Sequence, residues 1–127
     1  MLLQLSALML GGAMGALCRF GVTTLAQQYW GKSFPYGILL ANMLGSFAIG
    51  FLVVLFMSRS DVNPALKLGL MTGFLGAFTT FSSFSLDSLM LFESGELLKT
   101  LLNVVLNVSG ALIAVWLGTL LARAVIS

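Results

Sequence analysis

The sequence predicts an all-α membrane protein with four transmembrane helices, because of its composition and the placement of its few charges. Of the 127 residues, 59% are hydrophobic and only 8% are charged. Soluble proteins average about 45–50% apolar and about 25% charged residues. The charges cluster at the ends of apolar runs, each of which reaches the roughly 20 residues that a transmembrane helix requires. A single small water-soluble domain could not bury so much apolar surface.

Charges and turn residues divide the chain, which we interpret as one domain, into four helices in order. Tyr29 and Trp30, aromatic residues suited to the membrane interface, follow the first helix. Pro35 opens the second helix. Asn63 followed by Pro64 is typical of a helix start, since asparagine caps the helix and proline fits its first turn. We expect the helices at about 2–28, 35–58, 65–92 and 97–124.

The third helix is expected to break inside the membrane, because Gly73 and Gly76 lie in its middle. A break leaves backbone carbonyls without partners where no water is available, and a cation is one candidate to bind them. Small residues also recur every four positions, which lets helices approach closely in lipid. Such contacts fit equally well within one chain or between two subunits; the residues are Gly11, Gly15, Gly69, Gly73, Gly110, Ala114, Gly118 and Ala122.

The positive charges give almost no signal for orientation in the membrane. Arg59, Lys67 and Arg123 lie on the side of the termini, whereas Lys32 and Lys99 lie on the opposite side. Three charges against two hardly bias insertion, although most membrane proteins show a clear excess on the inner side. We therefore hypothesise that the chain inserts in both orientations and that two copies pair antiparallel.

Several functional classes find no support in the sequence. The chain contains no histidine and a single cysteine, so it offers neither a disulfide nor a zinc-type ligand set. We interpret Cys18 as a small residue packed in the first helix. The net charge of +2 includes no basic run that would follow a nucleic acid. No nucleophile–base pair and no phosphate-binding loop indicate an enzyme.

The segment 73–85 combines glycines, hydroxyl groups and phenylalanines within an apolar span. Hydroxyl groups can donate hydrogen bonds to an anion, and a phenyl ring has a positive edge, so the segment indicates a pathway for a small anion. Phe78, Phe81 and Phe84 recur every three residues, near one face of a helix. That spacing is equally typical of an ordinary core, and the hydroxyl groups can instead bond back to the preceding turn.

Polar side chains within the other spans allow two interpretations each. Arg19 lies deep in the first helix, where it either extends to the headgroups or forms an electropositive mouth for an anion. Asn42 and Asn107 either hydrogen-bond between helices or donate an amide hydrogen to a passing anion. Asp87 lies either at one end of a pathway or at a helix end in water.

These residues resemble the Fluc/CrcB family of microbial fluoride channels over the whole chain. The resemblance is strongest in the third helix, where the string of glycine, threonine, phenylalanine and serine over 72–85 is the most specific feature. A lone pair of phenylalanines would mean little, but this string in a chain of this size with four spans is specific. The other shared features are Gly11, Gly12, Arg19, the stretch from Gly37 to Asn42, Asp61, Asn63, Pro64 and Lys67.

The resemblance implies an antiparallel, dual-topology homodimer in the bacterial inner membrane, with two fluoride pathways. It also implies a structural sodium ion at the dimer interface, bound by the backbone carbonyls of Gly76 and Thr79 from both subunits. Some relatives pair non-identical chains, so a heterodimer stays open. The groups expected along each pathway are the rings of Phe81 and Phe84, the amides of Asn42 and Asn107, the hydroxyl groups of Thr80, Ser82 and Ser83, and Arg19 near the vestibule.

Several positions depart from the family pattern. A threonine often found before the asparagine is Ile38, and two polar positions of the fourth helix are Ala111 and Val115. After the first glycine of the break the family commonly has a small or polar residue; this position is Ala77 here. The fourth-helix part of the polar track is therefore thinned, which leaves Asn107.

The function implied is passive export of fluoride from the cytoplasm, which lowers its toxicity. One alternative is a small proton-coupled exporter of dual topology. Such a carrier would need a titratable carboxylate within a span, and Asp87 lies near a span end. The other alternative is a non-conducting membrane scaffold, which would tolerate loss of the phenyl rings of Phe81 and Phe84.

Overall fold

The computed structural model describes residues 1–127 and has four helical spans, as the sequence predicts. Each span is long and apolar enough to cross a membrane, so the chain is a multi-pass membrane protein. The even number of crossings returns the chain to the side on which it begins. The spans are α1 (Leu2–Trp30), α2 (Tyr36–Met57), an interrupted third span (Pro64–Glu93) and α6 (Leu97–Ile126).

The third span is broken, which confirms the prediction. Thr79 and Thr80 adopt extended backbone angles, with φ of −89° and −154°, between two helical stretches. Gly76 itself is helical, with φ −63° and ψ −35°, so the break does not use the conformational freedom of glycine. Before the break lie α3 (Pro64–Lys67), a π-helical stretch (Leu68–Leu75) and α4 (Gly76–Phe78), and after it lies α5 (Phe81–Glu93).

Helix ends follow the local signals in the sequence. Asn63 caps α3, because its Oδ1 accepts a hydrogen bond of 2.9 Å from the backbone N–H of Ala65. Gly31 and Gly95 have positive φ values of 78° and 81°, and each lies in the turn between two spans. These tight connections keep consecutive spans adjacent and antiparallel.

Close contacts at glycines hold the helices together in two pairs, α1 with the first part of the third span and α2 with α6. A Cβ atom at Gly11 would overlap the carbonyl oxygen of Gly69, and one at Gly118 would overlap that of Phe47. Gly50 packs in the same way against the carbonyl of Val115. The small residues at these positions therefore pack within one chain, which was one of the two interpretations of their spacing.

Most of the remaining surface is apolar and exposed. Only 21 of 127 residues are buried, and exposed leucine, methionine and phenylalanine side chains occur along every span, as expected for helices that face lipid or a partner. Cys18 also lies on the exposed surface of α1, so its predicted packing does not occur within the chain.

Candidate functional site

The site forms where Asn42 of α2 reaches the break in the third span. The Oδ1 atom of Asn42 accepts a hydrogen bond of 2.9 Å from the backbone N–H of Thr80. Its Nδ2 atom donates to the carbonyl of Thr80 at 3.3 Å and to Oδ1 of Asn107 at 2.9 Å. Asn42 thus forms the interhelical hydrogen bonds of the first interpretation, and all its polar atoms have partners within the protein.

The break removes the usual helical donor from the four backbone carbonyls of residues 76–79, among them those of Gly76 and Thr79. In a continuous helix the N–H groups of Thr80 and Ser83 would donate to the carbonyls of Gly76 and Thr79. Here the N–H of Thr80 donates to Asn42, and that of Ser83 donates to Oγ1 of Thr80 at 3.1 Å. The carbonyl of Gly76 therefore has no helical donor, and that of Thr79 is contacted only by Arg19, at 3.5 Å. Carbonyl oxygen is a suitable ligand for a hard cation.

Arg19 reaches the same break from α1. Its Nη1 atom lies 3.5 Å from the carbonyl oxygen of Thr79, and the side chain is partly buried. The guanidinium group is thus turned into the protein at the break and lines neither of the two cavities described below.

The predicted hydroxyl groups lie on different sides of the first turn of α5. Thr80 caps this helix, since its Oγ1 accepts from the N–H of Ser83 and lies 3.2 Å from the hydroxyl of Ser82. Ser82 is exposed and lines neither cavity. Ser83 lines a cavity separate from the one that contains Thr80. The structure does not, therefore, line up the three hydroxyl groups along one cavity of the protomer.

Phe81 and Phe84 form an edge-to-face pair, with ring centroids 5.2 Å apart and an interplanar angle of 62°. Phe84 is buried, with 6% of its surface exposed, whereas Phe81 is 75% exposed. Phe78 does not share their face, because the break separates it from α5, and it stacks on Phe74 instead. The three-residue spacing therefore brings together two of the three rings.

A cavity of about 340 Å³ lies beside the phenylalanine pair. Five of the predicted pathway residues line it, together with Thr79, whose backbone carbonyl is one of the expected sodium ligands. Ser46, Val108 and Leu112 also line it, and sequence reasoning did not assign these three to the pathway. The cavity contains no charged side chain; the predicted residues that line it are Asn42, Thr80, Phe81, Phe84 and Asn107.

A second cavity of about 460 Å³ opens between the end of α1, the start of α2 and α5. Lys32 and Asp87 place opposite charges in its lining, and Ser83 lies on the wall that α5 contributes. Ile38, the position where the family pattern often has threonine, faces the same cavity. Asp87 is half-buried here rather than free in water at a helix end.

Buried polar contacts continue from the first cavity into α6 and α5. Nδ2 of Asn107 donates to both the carbonyl and Oδ1 of Asn103, at 2.9 Å and 3.0 Å. Nδ2 of Asn103 in turn donates to the hydroxyl of Ser88 at 2.9 Å. Neither Asn103 nor Ser88 was predicted as a site residue, although the four-residue spacing of Asn103 and Asn107 places them on one face of α6.

Comparison with known proteins extends over almost the whole chain. The family described as CrcB-like protein, Camphor Resistance (CrcB), matches residues 6–119. A Legionella pneumophila (strain Paris) protein named "Fluoride-specific ion channel FluC" is 48% identical over 120 residues, which cover 94% of this chain and 90% of the relative.

Two further relatives carry the same name. The one from Methylococcus capsulatus is 50% identical over 121 residues, 95% of this chain and 53% of the relative. The one from Hydrogenovibrio crunogenus is 44% identical over 116 residues, 91% of this chain and 88% of the relative. With a family match across residues 6–119 and relatives this similar along their length, the chain belongs to the CrcB family.

Proposed function

We propose that the chain is a fluoride channel that lets the ion leave the cytoplasm passively and so lowers its toxicity. The observation that carries this proposal is the uncharged cavity beside Phe81 and Phe84, lined by amide and hydroxyl groups. Relatives that are 44–50% identical are named fluoride-specific ion channels, and these residues lie within the matched region.

The chemistry of the cavity suits a small, strongly hydrated anion. Such an ion must exchange its water for hydrogen-bond donors, yet a full positive charge at the same place would hold it too tightly for release. In an edge-to-face pair, the ring that offers its face keeps its own positive edge free, and an anion can lie against that edge. Phe81 and Phe84 provide this arrangement, and the pair lies in the lining of the cavity.

Asn42 has one hydrogen bond that it can exchange for a bond to fluoride. Of its two Nδ2 bonds, the one to the carbonyl of Thr80 is longer, at 3.3 Å against 2.9 Å to Asn107. We propose that the amide hydrogen directed at Thr80 turns to the anion, while the bond to Asn107 keeps the side chain in place. The hydroxyl of Thr80 extends the polar lining of this cavity, and we propose that Ser83 extends the track from the second cavity, with the exposed hydroxyl of Ser82 between them.

The functional unit that we propose is an antiparallel homodimer of dual topology in the bacterial inner membrane. Phe81 is 75% exposed beside a polar cavity, and lipid offers no partners for such groups, so a second protein surface has to cover them. The near balance of positive charges on the two sides of the membrane is consistent with insertion in both orientations.

A sodium ion at the dimer interface is consistent with the break. The carbonyls of Gly76 and Thr79 are released from the helix by Asn42 and Thr80, and Gly76 is exposed on the protomer. Two copies of these carbonyls would offer four oxygen ligands. The carbonyl of Thr79 has two lone pairs, so it can accept from Arg19 and still bind a cation. The charge of Arg19 would then lie close to the pathway without entering it.

The membrane potential drives export in this proposal, since moving one charge through 100 mV is worth about 2.3 kcal/mol. The purified protein in liposomes loaded with potassium fluoride or, in parallel, with potassium chloride tests it directly. Addition of a potassium ionophore should release fluoride and little chloride. Equal release of chloride would refute selectivity, and no release of either ion would support the scaffold.

A further inference from the structure

We propose that Asn103 and Ser88, which line neither cavity, are positioning residues that hold the amide of Asn42 in the orientation that anion binding requires. The inference rests on the proposed function, since it concerns the same pathway. Both side chains are buried and polar, and lining the pathway does not explain their presence because neither lines it.

The two residues end a continuous series of hydrogen bonds that we call the amide relay, comprising Asn42, Asn107, Asn103 and Ser88. Each side chain donates to the next: Asn42 to Asn107 at 2.9 Å, Asn107 to Oδ1 of Asn103 at 3.0 Å, and Asn103 to Ser88 at 2.9 Å. The hydroxyl of Ser88 then donates to the carbonyl of Phe84 at 2.9 Å. The relay thus connects α2, α6 and α5 and ends at the backbone of a pathway residue.

Backbone groups at both ends fix the direction of the relay. The N–H of Thr80 can only donate, so the group of Asn42 that faces it must be the oxygen. The carbonyl of Phe84 can only accept, so Ser88 must use its hydrogen there and accept from Asn103. A flip of any one amide would place two donors or two acceptors face to face. The orientation of each amide therefore depends on the next one.

Because the amide relay is buried, the orientation of each amide depends strongly on its neighbour. Asn103 has no exposed surface and is the largest fully buried side chain in the chain, and Asn107 is 4% exposed. No water is at hand to replace a lost partner inside the membrane. Without the side chain of Asn103, Nδ2 of Asn107 loses one of its two acceptors and keeps only the backbone carbonyl of residue 103, so Oδ1 of Asn107 is held less firmly toward Asn42. The donor that we assign to fluoride would then be free to turn away.

The alternative is that Asn103 only fastens α6 to α5; fastening changes the amount of folded protein, whereas positioning changes efflux per folded protein, and the variant Asn103→Asp tests this together with Ser88→Ala. A protonated carboxyl group can accept from Asn107 and donate to Ser88, as the amide does, whereas an ionised one cannot donate to Ser88 and so is no longer held in place for Asn107. Ionophore-driven fluoride efflux through this variant should therefore fall about tenfold as the pH rises from mildly acidic to alkaline, the size expected for one lost buried hydrogen bond. Ser88→Ala removes the same bond without adding a charge, so it should lower efflux per folded protein by a similar factor at every pH, which separates the lost hydrogen bond from charge repulsion. The wild type is measured over the same range, because Asp87 lies beside Ser88 on α5 and Arg19 is also charged within a span.

Further variants complete the test. Asn103→Ala and Ser88→Ala should each reduce efflux per folded protein, and the double variant should be no worse than Asn103→Ala. Thr119→Ala, in the same helix as Asn103, removes a hydroxyl that bonds only to its own helix and should behave as wild type. If Asn103→Ala does not fold, the pH series of Asn103→Asp still decides.

Efflux through Asn103→Asp that is independent of pH and equal to wild type would overturn the inference. So would folded Asn103→Ala protein with wild-type efflux. Failure of the proposed function looks different, because in that case the wild-type protein itself releases no fluoride.

Discussion

Asn42 makes a two-point contact with the backbone of Thr80, accepting from its N–H at 2.9 Å and donating to its carbonyl at 3.3 Å. A side chain from α2 thus replaces the partner that the third span would supply to itself if it were continuous. The break is held open from a neighbouring helix, and the residue that holds it also lines the candidate pathway.

Asn42→Asp should keep one of the two contacts that hold the break, the bond from the N–H of Thr80, and should strongly reduce conduction. The carboxylate can still accept from the N–H of Thr80, but it cannot donate to Asn107 or to an anion, and its charge repels fluoride. At an effective dielectric of about 20, a charge about 4 Å away costs about 4 kcal/mol, so efflux from liposomes should fall at least about 100-fold.

The matched control for this change is Asn63→Asp. Asn63 caps α3 in an exposed loop, and aspartate caps helices equally well. This variant should conduct as wild type does. Wild-type efflux through Asn42→Asp would contradict the assignment of Asn42 to the pathway.

Phe81→Ile and Phe84→Ile should both reduce fluoride efflux at least about tenfold, because each removes one ring of the edge-to-face pair that lines the cavity. Their effects on stability should differ. Phe84 is 6% exposed, so its loss should lower the free energy of unfolding by about 1–2 kcal/mol, whereas Phe81 is 75% exposed in the protomer, so its loss should cost the isolated protomer less than about 0.5 kcal/mol.

Denaturant titration in detergent measures the stability of these variants, and liposome efflux measures their conduction. Phe20→Ile is a suitable control, since Phe20 is an exposed ring on α1 away from both cavities. Undiminished efflux through both pathway variants would favour a scaffold.

Gly118→Ala should destabilise the chain by about 1–3 kcal/mol, because the added methyl group would overlap the carbonyl of Phe47 and force α6 away from α2. Gly21→Ala makes the same change in α1 where no atom lies near the new methyl group, so it should not destabilise. Denaturant titration compares the two. Equal stability of both variants would show that the glycine contacts do not limit helix packing.

Removal of sodium should weaken the dimer if the carbonyls of Gly76 and Thr79 bind this ion. We expect protein purified with a bulky organic cation in place of sodium to dissociate faster and to conduct less, with recovery when sodium is restored. Subunit exchange between two differently labelled preparations reports the rate of dissociation. An exchange rate that does not depend on sodium would exclude the proposed ion site.

Asp87→Asn separates a channel from a proton-coupled exporter. Asp87 is a half-buried carboxylate in the lining of the second cavity, which also includes Lys32, and a coupled exporter would need such a group. We expect the variant to retain ionophore-driven efflux of the same order as wild type, in the absence of a pH gradient. Loss of transport in this variant, together with uptake driven by a pH gradient in wild type, would favour the exporter.

The four spans and the broken third helix could be predicted because apolar length and turn residues are local properties. The physical reason for the break could not. Gly76 suggested flexible backbone, yet it is helical, and the interruption lies at Thr79 and Thr80, where Asn42 and the Thr80 hydroxyl capture two N–H groups. A hydrogen bond between residues 38 positions apart leaves no periodic trace in the sequence.

The candidate site was likewise predicted only in part, because residue types are visible in the sequence but long-range contacts are not. Side-chain types identified Asn42, Thr80, Phe81, Phe84 and Asn107, which do meet at one cavity. The break rotates the faces of α5 relative to those of the helix before it, so Phe78 separates from the two later rings. Ser83 lines the other cavity because it lies on a different face of α5 from Phe81 and Phe84.

The contacts of Gly11, Gly50 and Gly118 with carbonyl oxygens limit how this molecule can move. A slide of one residue along a helix axis is a shift of about 1.5 Å, which would break each of these close contacts. The contacts therefore resist translation of whole helices in both helix pairs. We expect any opening or closing to come from bond rotations in individual side chains, at the speed of rotamer exchange rather than of domain rearrangement.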